Sequence, residues 1–340
     1  MPNLSFYERQ HLEKLIQQEA SLKYIFDEYV RNVSILMSGW QDSGNENVWI
    51  RNAHIEKGVE KELQNLHDKL TSNITNNSVD AWNRSNRKTD DLIEGYIKDM
   101  SLNEVVKKGM FARNEEALKT FLKAKIDGET VSDRVWKVTG GGKEAIEHYL
   151  SSGISTGRPA TSISQDIRQL LNDPDKRFRR IRNEQGKLVM SAPMKDYHPG
   201  QGVYRSSFMN AKRLAATETN RAYRTADFER WNKLDFILGV EVRRSASNKG
   251  PCAICDAMVG RYPKDYKFAG NHPWCICVAT PILMDEDKFI DSLVDGTVPE
   301  GDFVKDIPTG ARQYIDEQLQ KGRLTKDSYL FRDNKSFFEK

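Results

Sequence analysis

The chain lacks any long apolar run. No stretch approaches the roughly 18 residues that cross a bilayer, so a membrane partner is not expected. The first residues, MPNLSFYERQHLEKL, are polar from the start and do not read as a secretory signal. Histidine is scarce, at six residues, and cysteine scarcer, at four. The first 251 residues contain no cysteine, which excludes a disulfide scaffold over most of the chain. Hydrophobic residues make up 38% and charged residues 30%. That allows a core but is lean for an enzyme domain, and it predicts elongated helical parts with much solvated surface. At 340 residues, two or three structural units are expected.

All four cysteines fall between Pro251 and Pro281, in PCAICDAMVGRYPKDYKFAGNHPWCICVATP, together with His272. Cys252-x-x-Cys255 is followed about 20 residues later by His272-x-x-Cys275-x-Cys277. Two short groups at this separation have the spacing of a tetrahedral zinc site, each on a tight turn that aims two ligands at one point. Clustered thiols without a signal peptide favour a metal over disulfides. Five candidate ligands compete for four positions, and which four bind is open, with a preference for the four thiolates. Such thiolate-rich zinc is structural, because the thiolates at least offset the ion's positive charge and its shell is closed.

The net charge is only +3 but uneven. Residues 151–250 carry 19 Lys/Arg against 10 Asp/Glu, and the remainder 33 against 39. Lys176, Arg177, Arg179, Arg180 and Arg182 form the most basic spot, inside KRFRRIRNEQGKLVMS. Alternating apolar positions and a turn at 183–186 predict a hairpin there. Such a ribbon suits a phosphate backbone, double-stranded DNA included, or equally an acidic protein partner.

Helical periodicity covers residues 6–38 and 53–72, with a new start at Ser78-Val79-Asp80 running through Ile97. Another helix opens at Asn114 and continues to about Ile126. The first 130 residues read as an extended helical region without a chemical constellation. His11, His54 and His67 are isolated there and read as packing or surface residues. Ser132-Asp133 opens a further helical unit, with Gly140-Gly141-Gly142 as a flexible joint. The phosphate-loop reading of these glycines fails, since Glu144 follows Lys143 where Ser or Thr is required. ISQDIRQLL reads as a short helix.

One long helix is predicted from Tyr204 to Leu234, with Phe208, Ala211, Ala215, Ala222, Ala226 and Trp231 along one face. Glu218 lies on that face and needs a partner, and Arg221 is within one turn of it. Residues 236–246 and 276–283 read as strands, Gly260–Pro263 as a turn and 309–320 as a short helix. The expected fold is mainly α with a small zinc-clipped β unit near the C-terminus, that is, α+β. The last twenty residues read as an arm whose Tyr329, Leu330, Phe331, Phe337 and Phe338 dock on a neighbouring subunit.

Several of these residues carry a resemblance. They are Ala-Thr-Glu-Thr-Asn-Arg-Ala at Ala216–Ala222, Trp231 before a strand, Cys252-x-x-Cys255, Val259-Gly260, Tyr262-Pro263, and His272-Pro273-x-Cys275-x-Cys277 with a final strand to Pro281. Over about residues 130–283 the chain resembles the head morphogenesis (Mu F-like) minor capsid proteins of tailed bacteriophages. Ile276 stands where that family usually has Arg, and the strand before Cys252 ends in SASNKG in place of the common Asp-x-Arg step.

Three segments are expected: an extended helical region at 1–130 and a C-terminal arm at 286–340, both read from the residues, flanking the head morphogenesis domain with a zinc knuckle that the resemblance implies at 131–285. The resemblance implies a structural, non-enzymatic role in the virion, with assembly in the host bacterial cytoplasm. The implied partners are the portal and/or the major capsid protein, with packaged DNA as a further contact and no small-molecule substrate. A metal-dependent nuclease or other DNA-acting enzyme is the alternative. It would need an open coordination position and a general base, for which His272 and Glu218 are the candidates.

Overall fold

The computed structural model describes residues 5–38, 53–141, 143, 180–196, 206–245, 252–296 and 300–339. Helix dominates, with two small antiparallel sheets, so the chain is mainly α with a small β unit near its C-terminus. It divides into two compact units, both discontinuous in sequence. One gathers Met1–Leu15, Thr75–Gly128 and Ala216–Lys340, and the other Ile16–Ile74 and Glu129–Ala215. Consecutive segments cut at 130 and 285 therefore do not coincide with these units, because long helices contribute residues to both.

The unit of Ile16–Ile74 and Glu129–Ala215 is helical at its core. Helices α1 (Phe6–Ser38) and α2 (Ala53–Tyr96) run antiparallel there. Asn32 to Glu62 at 2.9 Å, Lys69 to Glu28 at 2.6 Å and Asn73 to Ser21 at 2.9 Å fix the direction. Between them lie Leu22, Phe26, Tyr29, Val30 and Val33 from α1 and Ile55, Val59, Leu63, Leu66, Leu70 and Ile74 from α2. The predicted restart at Ser78 does not occur. No Gly or Pro stands between Gly58 and Gly95, and Ser78 is itself buried inside the continuous helix. Weak capping residues cannot end a helix whose apolar stripe continues on both sides.

Residues 131–141 form α5, after α3 (Glu104–Met110) and α4 (Glu115–Lys123). Thr130 caps α5: its hydroxyl accepts from the Asp133 amide at 3.2 Å, and the Asp133 carboxylate accepts from the Thr130 amide at 2.9 Å. Gly140 and Gly141 continue the helix, which corrects the flexible-joint reading at those two positions. His67 is buried in this unit, stacked on Trp136 at 4.1 Å and bonded to the Ser132 hydroxyl at 3.0 Å. The basic hairpin is present as β1 (Arg180–Arg182) and β2 (Leu188–Met190), joined by a turn with Gly186 at φ 73°. A short helix, α6 (Ala192–Asp196), follows.

In the other unit, α7 (Ser207–Trp231), which enters it at Ala216, leads into a three-stranded sheet of order β4-β3-β5. Its strands are β3 (Ile237–Arg243), β4 (Gly260–Tyr262) and β5 (Val278–Leu283). Both neighbours pair with β3 antiparallel, with Val240 opposite Tyr262 on one side and Pro281 on the other. The segment read as a turn at Gly260–Pro263 is thus strand up to Tyr262. The chain turns only after Pro263, which cannot donate to the ladder. Helices α9 (Glu286–Asp295), α10 (Thr309–Gln320), α11 (Tyr329–Arg332) and α12 (Lys335–Phe338) follow, with α8 (Ala253–Ala257) before β4.

The C-terminal aromatic residues correct the arm reading. Leu330, Phe331, Phe337 and Phe338 are buried in the same core as Phe236, Tyr262, Tyr266 and Phe289. Phe331 stacks on Phe338 with centroids 5.7 Å apart, and Tyr266 meets Phe337 at 5.9 Å. These rings complete a core that the small sheet cannot close by itself.

Candidate metal centre

Cys252 stands at the N-terminal end of α8, and Cys255 lies within that helix. The Asp256 amide donates to the Cys252 carbonyl at 2.9 Å, so one helical turn places both thiols on the same side. His272 and Cys275 share a second turn, closed by the Cys275 amide on the His272 carbonyl at 3.1 Å. Trp274 within it has φ 67°, a left-handed conformation that non-glycine residues seldom adopt. Its amide donates to the Thr217 hydroxyl of α7 at 3.1 Å, which helps hold that conformation. Cys277 enters β5 directly.

The five predicted ligands come together. Their donor atoms form two triads, Cys252–Cys255–His272 and Cys255–Cys275–Cys277, which share Cys255. The His272 Nε2 lies 3.3 Å from the Cys252 Sγ and 3.1 Å from the Cys255 Sγ. The Cys255 and Cys275 sulfurs are 3.9 Å apart, and all four thiols are free. A disulfide requires about 2.05 Å. A tetrahedral metal with metal–sulfur bonds of about 2.3 Å requires about 3.8 Å between sulfurs. The observed spacing therefore fits a metal.

The surroundings agree with that fit. The His272 Nδ1 lies 2.7 Å from the Pro273 carbonyl, which holds its proton there and leaves the Nε2 lone pair facing the thiols. Cys255, Cys275 and Cys277 are buried, and three thiols this close cannot all ionise. Hydrogen bonding from Cys255, then Cys277, holds the Cys275 thiol well below its ordinary range. The bond to Cys275 holds Cys255 well above it. A bound cation removes that conflict, since it favours every thiolate at once.

Helix α7 clasps this knuckle with residues spaced at i, i+7 and i+11. Thr217 takes the Trp274 amide, Arg224 reaches the carbonyls of the second turn, and Phe228 lies under Lys267 at 5.6 Å. Sequence reasoning missed Arg224, which looked like one more solvated base in a basic block. The only available signal was its heptad spacing from Thr217 on an otherwise inward-facing helix. Glu218 and Arg221 form the predicted buried pair, with Nη1 3.2 and 3.3 Å from the carboxylate oxygens. Arg221 also lies over the Tyr329 ring at 5.2 Å. Glu218 thus has a structural partner.

Of the basic cluster, Arg180 and Arg182 are exposed on the hairpin, and Arg182 donates to the Gly186 carbonyl at 2.6 Å. Lys176, Arg177 and Arg179 lie outside the described residues, as does the helix read at ISQDIRQLL. No protein-family model, curated protein or solved structure matches the chain. Among the described residues no helix is long and apolar enough to cross a membrane.

Proposed function

We propose that this chain is a structural minor head protein of a tailed bacteriophage or prophage, acting in capsid assembly at or near the portal. Its metal is zinc, held for stability and not for turnover. The observation that carries this reading is the union of the two resembling segments. Ala216–Ala222 and the Cys/His ending are some 30 residues apart in sequence, yet Thr217 of the first segment bonds directly to the knuckle, as does Arg224 just beyond it. The motif thus reads as one folding device.

The donor chemistry supports zinc. Sulfur and imidazole donors at tetrahedral spacing suit it, whereas oxygen ligands would suit magnesium or calcium. A catalytic zinc keeps one position open for water. Here four thiols and an imidazole converge, three of the thiols buried, which supports a closed shell. The partners under this reading are the portal and/or the major capsid protein. The exposed Arg180 and Arg182 are available to packaged DNA. The virion is the destination, reached from the host cytoplasm.

Co-expression with the portal ring of the same phage tests the role. The chain is expected to co-purify with the ring, and Cys255→Ser is expected to reduce that recovery. Recovery of neither portal nor major capsid protein would contradict the reading. So would metal-dependent DNA cleavage that is lost on changing His272.

A further inference from the structure

Arg224 is a buried cation without a carboxylate, 7% exposed. Its Nη2 donates to the carbonyls of both Cys275 and Cys277, each at 2.7 Å, and Nη1 reaches the Ala269 carbonyl at 3.4 Å. Its guanidinium lies over the Phe268 ring at 5.1 Å. Among the described residues no acidic side chain pairs with it. Asp227, one turn along α7, is engaged by Lys88 at 2.6 Å and Ser85 at 2.6 Å. Gly270, at φ 107°, leaves the space Arg224 occupies, since a Cβ there would collide with Nη1. The loop is therefore shaped around this guanidinium. A buried charge without a counter-charge is costly.

The missing counter-charge is beside it. A divalent cation held by three thiolates and an imidazole carries a net charge of −1, and by four thiolates −2. We infer that Arg224 is the counter-ion of the metal–thiolate centre, coupling metal loading to the docking of α7 on the knuckle. This rests on the metal reading above. Arg224 positions the ligand backbone through three carbonyls and offsets the cluster's charge. It touches no metal itself.

The test uses the full chain loaded with zinc and titrated with a competing chelator. Arg224→Met removes the charge and the hydrogen bonds but keeps much of the bulk, and Arg224→Lys keeps the charge without the planar fork that reaches three carbonyls. Arg224→Met is expected to weaken zinc binding about 10- to 100-fold, the usual effect of losing an outer-shell partner. Arg224→Lys is expected to retain more of the affinity than Arg224→Met. The metal-free forms of Arg224→Met and wild type are expected to melt together, with the difference confined to the loaded state.

Equal zinc affinity in Arg224→Met and wild type would overturn the counter-ion role and leave the metal reading intact. So would an equal loss of stability with and without metal, which marks a packing role only. Wild-type chain that binds no metal would overturn both.

Discussion

His11 is enclosed by opposed demands. Its Nε2 is 2.8 Å from the Asn220 Oδ1, and its ring stacks on Tyr223 at 4.1 Å. Its Nδ1 is buried without a partner. Burial, with Arg84, Arg224 and Lys88 nearby, pushes its pKa from 6.5 down to about 3. The folded state therefore holds His11 neutral. The unfolded state takes up a proton below pH 6.5, so His11 adds stability above 6.5 that is lost as pH falls from 6.5 toward 3. Each pH unit in that window costs up to about 1.4 kcal/mol. Urea unfolding of His11→Gln is expected to show a shallower loss of stability between pH 6 and pH 4 than wild type. An unchanged acid limb would assign that limb to carboxylates alone. None of this was legible in the sequence, where His11 is one isolated histidine on a polar helix. Its burial depends on Asn220 and Tyr223, about 210 residues away.

At the scale of elements, the long helices were legible because their apolar residues recur without interruption. The limits of α1 agree with periodicity alone, and Asn114 caps α4 as its residue type predicts. The errors share a cause. Ser78, Gly140 and Gly141 carry local signals for an end or a joint, yet each lies within a helix. Local propensity amounts to at most about 1 kcal/mol per residue, and a buried stripe outweighs it. The Cys/His knuckle was legible for the opposite reason, because ligand spacing is a property of short segments. Arg224 was not, since its role exists only once α7 meets the loop. The hairpin carries its own test. If β1 binds a DNA backbone, replacing Arg180 and Arg182 with Ala should reduce the slope of log binding constant against log salt. The expected reduction is about 0.9 for each phosphate no longer neutralised. Unchanged binding and slope would assign the exposed arginines to a protein surface.

At the scale of the molecule, the unit that holds the knuckle is assembled from three separated stretches of chain. Its core joins the end of α2, the sheet, α10 and the C-terminal aromatic residues. The C-terminal rings looked free in sequence because nothing nearby in the chain could cover them. Phe337 and Phe338 are covered by Tyr266, about 70 residues earlier, which itself packs on Tyr262. The small sheet needs both this aromatic floor and the clasp on α7, and Cys255 sits where the two ligand triads join.

The central claim is that this join holds a metal. Elemental analysis of the untagged chain, paired with thermal unfolding of Cys255→Ser, tests it most directly. The account predicts about one zinc per chain and a loss of more than about 4 kcal/mol of stability in Cys255→Ser. Metal-free wild-type protein with a Cys252–Cys255 or Cys275–Cys277 disulfide would contradict it.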